Sequence, residues 1–270
     1  MSTELTTTTP GALALPNYGT TKAAGRENTT AEDFAIPFLN LLQDLSPEVK
    51  EHRKEDYIPG AKPGLFFNTI SRRLYGAEVI LVPCVYERKF IEWIPRDAGG
   101  GLVGVHEVHS PVVAKAKAAA GSSFDLKNGA NDLIDTRSLY CLVLDQAGAI
   151  IDTAIVPFTS TKLKTLKAFM SRLNEVDPEG KAPFWAFRLR LRAFPDQNKA
   201  KQDFFNVELG FAVEDNPAKS LNVPGQHDAV LLAGKAFYEG ITSGAVKVDH
   251  SKAARGESDD TKEKADKLFS

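Results

Sequence analysis

Apolar and polar residues alternate most regularly at FWAFRLRLRAF (184–194). A repeat of two marks a β-strand with two unlike faces. Trp185, Phe187, Leu189, Leu191 and Ala193 fall on one side and predict a core face. Phe184, Ala186, Arg188, Arg190, Arg192 and Phe194 fall on the other. Across the polar loop PDQNKAKQD this strand is expected to pair with FFNVELGFAV (204–213). There Phe205, Val207 and Leu209 oppose Phe204 and Asn206.

The same pattern predicts three further β-rich stretches. GLFFNTISRRLYG (64–76) reads as a short hairpin. AEVILVPCVYERKFIEWI (77–94) reads as one long strand or two, with Pro83 marking an edge or bulge. SLYCLVLDQAGAIIDTAIVPF (138–158) is a hairpin turning at Asp145 to Gly148. A helical period takes over at 160–176, where Leu163, Leu166, Phe169, Met170 and Leu173 share a face and Ser160 is the expected N-cap. A second helix is expected from about Gln226 to Gly240.

Five strands with one helix between the third and fourth is the connectivity of the OB-fold, a small Greek-key barrel. The expected class is therefore mainly β with α (α+β), an OB-like five-stranded barrel. Residues 95–137 form an excursion between its first and second strands. Around this core, at 64–215, residues 1–31 read as a flexible arm and 32–63 as a docking segment and linker. The apolar run FAIPFLNLLQDL (34–45) is a candidate for pairing subunits into a homo-oligomer. Residues 216–244 read as a C-terminal helical segment and 245–270 as a disordered charged tail.

Composition adds a class and charge adds a location. In 270 residues, 43% are hydrophobic and 25% charged, the balance of a soluble globular protein. No apolar run is long enough for a membrane span, and MSTELTTTTPGALALP lacks the features of a secretory signal. With only Cys84 and Cys141, free thiols in a reducing, cytoplasmic setting are expected. Net charge is −2, yet Thr159 to Lys201 carries ten basic residues against four acids. That segment is +6 and the rest of the chain −8, so charge is segregated.

Segregated charge on an alternating strand suggests nucleic acid. A single-strand groove combines basic groups on phosphates with aromatic rings on which bases stack. Arg188, Arg190 and Arg192 supply the first, and Phe184, Phe194 and Phe204 the second. Lys162, Lys164 and Lys167 extend the track if the helix flanks it. In YERKFIEWIPR (86–96), Tyr86, Arg88, Phe90 and Glu92 share a face, so Tyr86 and Arg88 join the candidates while Trp93 reads as core. The competing reading is a solvated strand whose arginines pair with neighbouring acids such as Glu208.

Other chemistries find less support. PRDAGGGLVG (95–104) lacks the Lys-Ser/Thr of a P-loop and reads as a mobile loop. His106 and His109 have no second ligand pair at zinc-site spacing. There is no nucleophile elbow, helical HExxH or two-metal carboxylate set. No catalysis, metal or cofactor is therefore expected. The tail ESDDTKEKADKLFS is loosely similar to the acidic, phenylalanine-tipped tails of bacterial single-stranded DNA-binding proteins, which dock replication partners.

GLFFNT (64–69), VPCVYERKFIEWIPRDAGGG (82–101) and TSTKLK (159–164) resemble stretches of replication-module proteins from tailed bacteriophages. Some of those are described as single-stranded DNA-binding proteins with an OB-type core. The resemblance spans roughly residues 34–213. It implies a phage-encoded protein that coats exposed strands in the host cytoplasm during replication or recombination. It supplies no binding residues. The expectation is thus a non-catalytic, sequence-tolerant single-stranded DNA-binding protein, with replication or recombination proteins as partners through the tail. The alternatives are an assembly or interaction protein that binds no nucleic acid, and a strand-annealing recombination protein.

Overall fold

The computed structural model describes Gly25, Glu27, residues 35–244 apart from 122, 124, 199–200 and 214–215, and Val248. The flexible-arm and charged-tail expectations fall almost wholly outside these residues. Among them the chain is mainly β with three α-helices. In order, the elements are β1 (Leu39–Leu41), β2 (Phe66–Asn68), β3 (Leu74–Gly76), β4 (Glu78–Trp93), β5 (Leu102–Glu107), α1 (Pro111–Ala120), β6 (Lys127–Asn128), β7 (Asn131–Leu144), β8 (Ile150–Phe158), α2 (Lys162–Val176), β9 (Leu189–Gln197), β10 (Asp203–Phe211) and α3 (Asp228–Thr242).

The main sheet is antiparallel, in the order β10-β9-β4-β7-β8, because β8 pairs with the C-terminal half of β7. β4 is long enough to serve two regions. Its first residues pair with β9, and its last, Lys89 to Trp93, pair with β5. β4 and β7 therefore run on together as an arm, with β5 on one side and β6 on the other. Between Pro83 and Val85 the register shifts by one residue and Cys84 is left as a bulge.

One face of the sheet carries the main core. Val79, Leu81, Leu139, Cys141, Val143, Val156, Leu189, Leu191, Val207 and Leu209 meet Leu166 and Phe169 of α2 there. α3 covers the opposite face at β4 and β7, where Val82, Cys84, Leu142 and Leu144 pack against Val230 and Phe237. α1 closes a small satellite core around Phe90, Val113, Ala116 and Leu133.

β8 and β10 are not hydrogen-bonded to each other among the described residues, so the sheet is open. Two elements occupy the opening. Phe38 bridges Ile155 of β8, and the Ile155 amide donates to the Pro37 carbonyl at 2.8 Å. On the far side Gln43 donates to the Phe205 carbonyl and accepts from the Phe205 amide, both at 2.8 Å. α2 adds a bond from Thr165 Oγ1 to the Val207 carbonyl at 3.1 Å. The described part of the apolar run at 34–45 thus packs into its own chain between residues 36 and 42, with Phe38, Leu39 and Leu42 fully buried. Gly64 belongs to the same closure. Its φ of +85° and the Phe205 ring, 2.6 Å from where a Cβ would stand, leave no space for a side chain.

Three local expectations change. The excursion at 95–137 contains a regular helix, α1, with the Ser110 side chain accepting from the Val113 amide, Pro111 in the first turn and Gly121 at the end. α2 begins at Lys162 rather than 160, because Ser160 takes φ +47° and cannot act as N-cap. The strand expected from 184 starts later. Residues Phe184–Ala186 form a 3-10 turn, and regular pairing begins at Leu189.

Candidate nucleic-acid interface

The 3-10 turn breaks the alternation at its first residues. Phe187, Leu189, Leu191 and Ala193 face the core as expected, but Phe184 packs on that core too. Trp185 turns to the opposite side, against α3. Phe184 is therefore withdrawn from the arginine face, where period-two counting had put it.

From Arg190 onward that face is well defined by register. On β10, Arg190 lies opposite Gly210, Arg192 opposite Glu208, Phe194 opposite Asn206 and Asp196 opposite Phe204. On β4, Arg190 and Arg192 lie opposite Ile80 and Glu78. Phe194 and Phe204 are half-buried on the same side as the arginines. The face is not free of acids, however. Glu208 takes Arg192 Nη2 at 2.5 Å and Nε at 3.1 Å, and both side chains are over two-fifths exposed. Asp196 accepts from Asn206 Nδ2 at 2.9 Å. The cross-strand pairing of an arginine with Glu208 is the competing reading of the sequence, and it occurs at Arg192. Arg188 points into the turn at 217–221 instead, donating from Nη2 to the Lys219 carbonyl at 2.7 Å.

Sequence reasoning passed over Arg172. It rises from α2 to the Gly210 end of β10, with its guanidinium carbon 5.8 Å from the Phe211 ring centre. Arg172 Nη1 lies 4.0 Å from where a Cβ on Gly210 would stand, and Gly210 is the cross-strand neighbour of Arg190. The remaining helix candidates stand elsewhere. α2 lies on the core side of β9 and β10, with Lys164 and Lys167 exposed and Lys162 half-buried beside Leu39, Phe158 and Thr159.

Tyr86 and Arg88 form a separate group on the arm. The bulge at Cys84 turns Tyr86, Arg88, Phe90 and Glu92 onto the side that carries the main core, opposite Leu139, Arg137, Asp135 and Leu133. Arg88 holds Asp135 with two bonds, Nε to Oδ1 at 2.9 Å and Nη2 to Oδ2 at 2.8 Å. Its guanidinium carbon is 5.4 Å from the Phe90 ring centre, and Lys117 Nζ approaches the same ring at 4.8 Å. Phe90 is core, whereas Tyr86 is 37% exposed.

Next to this group lies a buried carboxylate with no sequence signature. Glu92 Oε1 accepts from Asn128 and Asn131 at 3.0 and 2.6 Å, and Oε2 is 2.7 Å from His106 Nε2. Burial pushes the Glu92 carboxyl up, but the bonds from Asn131, His106 and Asn128 bring it below the ordinary carboxylate value. His109 is exposed. Among the described residues no three His, Cys, Asp or Glu side chains assemble into a metal-holding group. The glycine-rich stretch is a compact turn joining β4 to β5, closed by the Ile94 amide on the Gly101 carbonyl and the Gly100 amide on the Pro95 carbonyl. Among the described residues no helix is long and apolar enough to cross a membrane.

The family described as Pam3 phage gp34-like protein matches residues 6–247. No curated protein matches the chain, and no solved structure does.

Proposed function

The chain belongs to the Pam3 phage gp34-like family, and from that bacteriophage setting we propose a non-catalytic, single-stranded DNA-binding protein with an OB-type core. It would act in phage replication or recombination. The observation that carries this reading is connectivity. In chain order β4, β7, β8, α2, β9 and β10 occupy the sheet order β10-β9-β4-β7-β8. This order supports the reading, because an OB core left open between its third and fifth strands would have it. The face of β4 and β7 away from the main core is taken by α3. A DNA strand would therefore track the face of β9 and β10. Arg190, Arg192 and Arg172 would meet phosphates there, and Phe194 and Phe204 would stack bases, each stack contributing roughly 1–3 kcal/mol.

Anisotropy titration of a labelled thymidine oligonucleotide, against a duplex of equal length and across a salt series, tests this reading. Binding should favour the single strand and weaken steeply with salt as counterions are released. Glu208→Gln frees Arg192 from its acid and should tighten binding about two- to fivefold at low salt. Replacing Arg190 and Arg192 together by alanine should loosen it. If both variants match the wild type, β9 is not the contact strand.

A second reading is favoured by the partners of Arg188 and Arg192, both engaged within the chain. It makes the protein an assembly or interaction component of the phage. Absence of any oligonucleotide complex at low salt would select it.

A further inference from the structure

Arg88 and Arg137 stand directly opposite each other on the arm. Like charges in cross-strand register repel, and one carboxylate, Asp135, serves both. It is shared unequally. Arg88 occupies both oxygens with bonds of 2.9 and 2.8 Å, while Arg137 Nη2 stays 3.6 Å from Oδ2. That separation is too long for a hydrogen bond. Arg137 Nε is buried with no hydrogen-bond partner among the described residues. A cationic donor left unmatched in this way is unfavourable, and gains by meeting an acceptor.

Among the described residues no acceptor meets that Nε. Lys117 adds a further positive charge over Phe90. Glu92, on the same side of the arm, is already committed to Asn128, Asn131 and His106. Two residues along β4 from Arg88, Tyr86 exposes 37% of its surface. A guanidinium short of a counter-charge beside an open aromatic ring suits one ligand chemistry, a phosphate group carrying a nucleoside.

We propose that Arg137 is the anchor of an oxyanion site for the phosphate of a nucleotide or nucleic-acid strand, with Tyr86 as the adjoining stacking ring. Arg88 stays locked to Asp135 and keeps that acid from competing. Arg137 gives up only the 3.6 Å contact when its fork turns to the phosphate. The strand form of this proposal rests on the DNA-binding reading above; the phosphate form stands without it.

The test follows the Arg137 Nε–Hε resonance in full-length protein labelled with nitrogen-15 arginine, assigned by its loss in Arg137→Lys. Inorganic phosphate, thymidine 5′-monophosphate and a ten-thymidine oligonucleotide are added separately. Movement with the oligonucleotide assigns the site to a strand, and movement with only phosphate or the monophosphate assigns it to a free nucleotide. No movement with any probe overturns the site, even where the oligonucleotide binds elsewhere. If no oligonucleotide binds yet phosphate moves the resonance, the site stands and the DNA reading falls. For a strand, Arg137→Gln should weaken binding about fivefold at every sequence and lower the salt slope by about one. Tyr86→Ala should weaken it about tenfold. Thermal melts of both variants establish that they fold.

Discussion

Gly234 of α3 and Trp185 are in such close contact that a Cβ on the glycine would lie 2.6 Å from the Trp185 Cβ and 3.0 Å from its Cγ. The contact involves the root of the indole side chain, which cannot swing aside. It fixes α3 over the sheet at the point where the 3-10 turn redirects the chain. Gly234→Ala gains helix propensity of about 1 kcal/mol, but overpacking costs about 1–3 kcal/mol. A net loss of up to roughly 2 kcal/mol in urea unfolding is expected, and a more stable variant would show that the helix shifts freely.

The segment at 37–43 should behave as part of the sheet. Phe38 is 1% exposed and lies on the Tyr140–Ile155 cluster, so Phe38→Ala should cost about 3–5 kcal/mol. Gln43→Ala removes both bonds to the Phe205 backbone and should cost roughly 1–3 kcal/mol. Hydrogen exchange at the Phe205 amide would rise in the second variant. Unchanged exchange there would mean that the segment only rests against β10.

Acid stability should report on Glu92. Its carboxyl titrates below the ordinary value of 4.5 in the fold, so its contribution is complete above that pH and fades as pH falls through the lower folded value. Glu92→Gln should lose roughly 1–3 kcal/mol at pH 7 and show a shallower decline between pH 5 and 3 than the wild type, in the ordinary carboxylate range. Parallel acid limbs in urea unfolding would contradict the assignment.

Both thiols should be silent in the native protein. Burial pushes Cys84 up to about 12 and Cys141 well above the ordinary thiol value, and neither is exposed. A chromogenic thiol reagent at pH 8 should register neither until denaturant is added. Fast reaction of one equivalent in native buffer would mean that the β4–β7 core opens.

Period-two patterning located β9 and β10, which have one face in the core and one outside it, whereas β4, β7 and β8 were located by apolar runs, because α3 and Phe38 cover their second face. Alternation failed at Phe184 and Trp185. A 3-10 turn advances the chain by about a third of a turn per residue, so neighbours no longer alternate sides, and neither side chain announces this. α1 carried a readable signal in Ser110, Pro111 and Gly121, outweighed by an alanine- and lysine-rich middle with little apolar contrast. For the candidate interface, the sequence displayed charge and offered Glu208 as a competing partner, but not which arginine it would meet. Glu208 reaches Arg192 only through the register of β10, and the carbonyl that holds Arg188 comes from Lys219. Asp135 and Arg137 gave no hint, because their roles arise from pairing with β4.

Cys84 adds one residue to β4 where β7 has none. Side chains on a strand obey a two-valued parity, and an inserted residue inverts it for everything that follows. Below the bulge Val79 and Leu81 face the core, and above it Tyr86, Arg88 and Phe90 inherit that side. Deleting Cys84 would exchange the two faces of β4 along the arm while β7 keeps its own. Lys89 and Trp93 would turn toward α1, and Arg88 would leave Asp135, with no other change in composition. The chemistry of the arm is therefore encoded by a count of residues as much as by their identity.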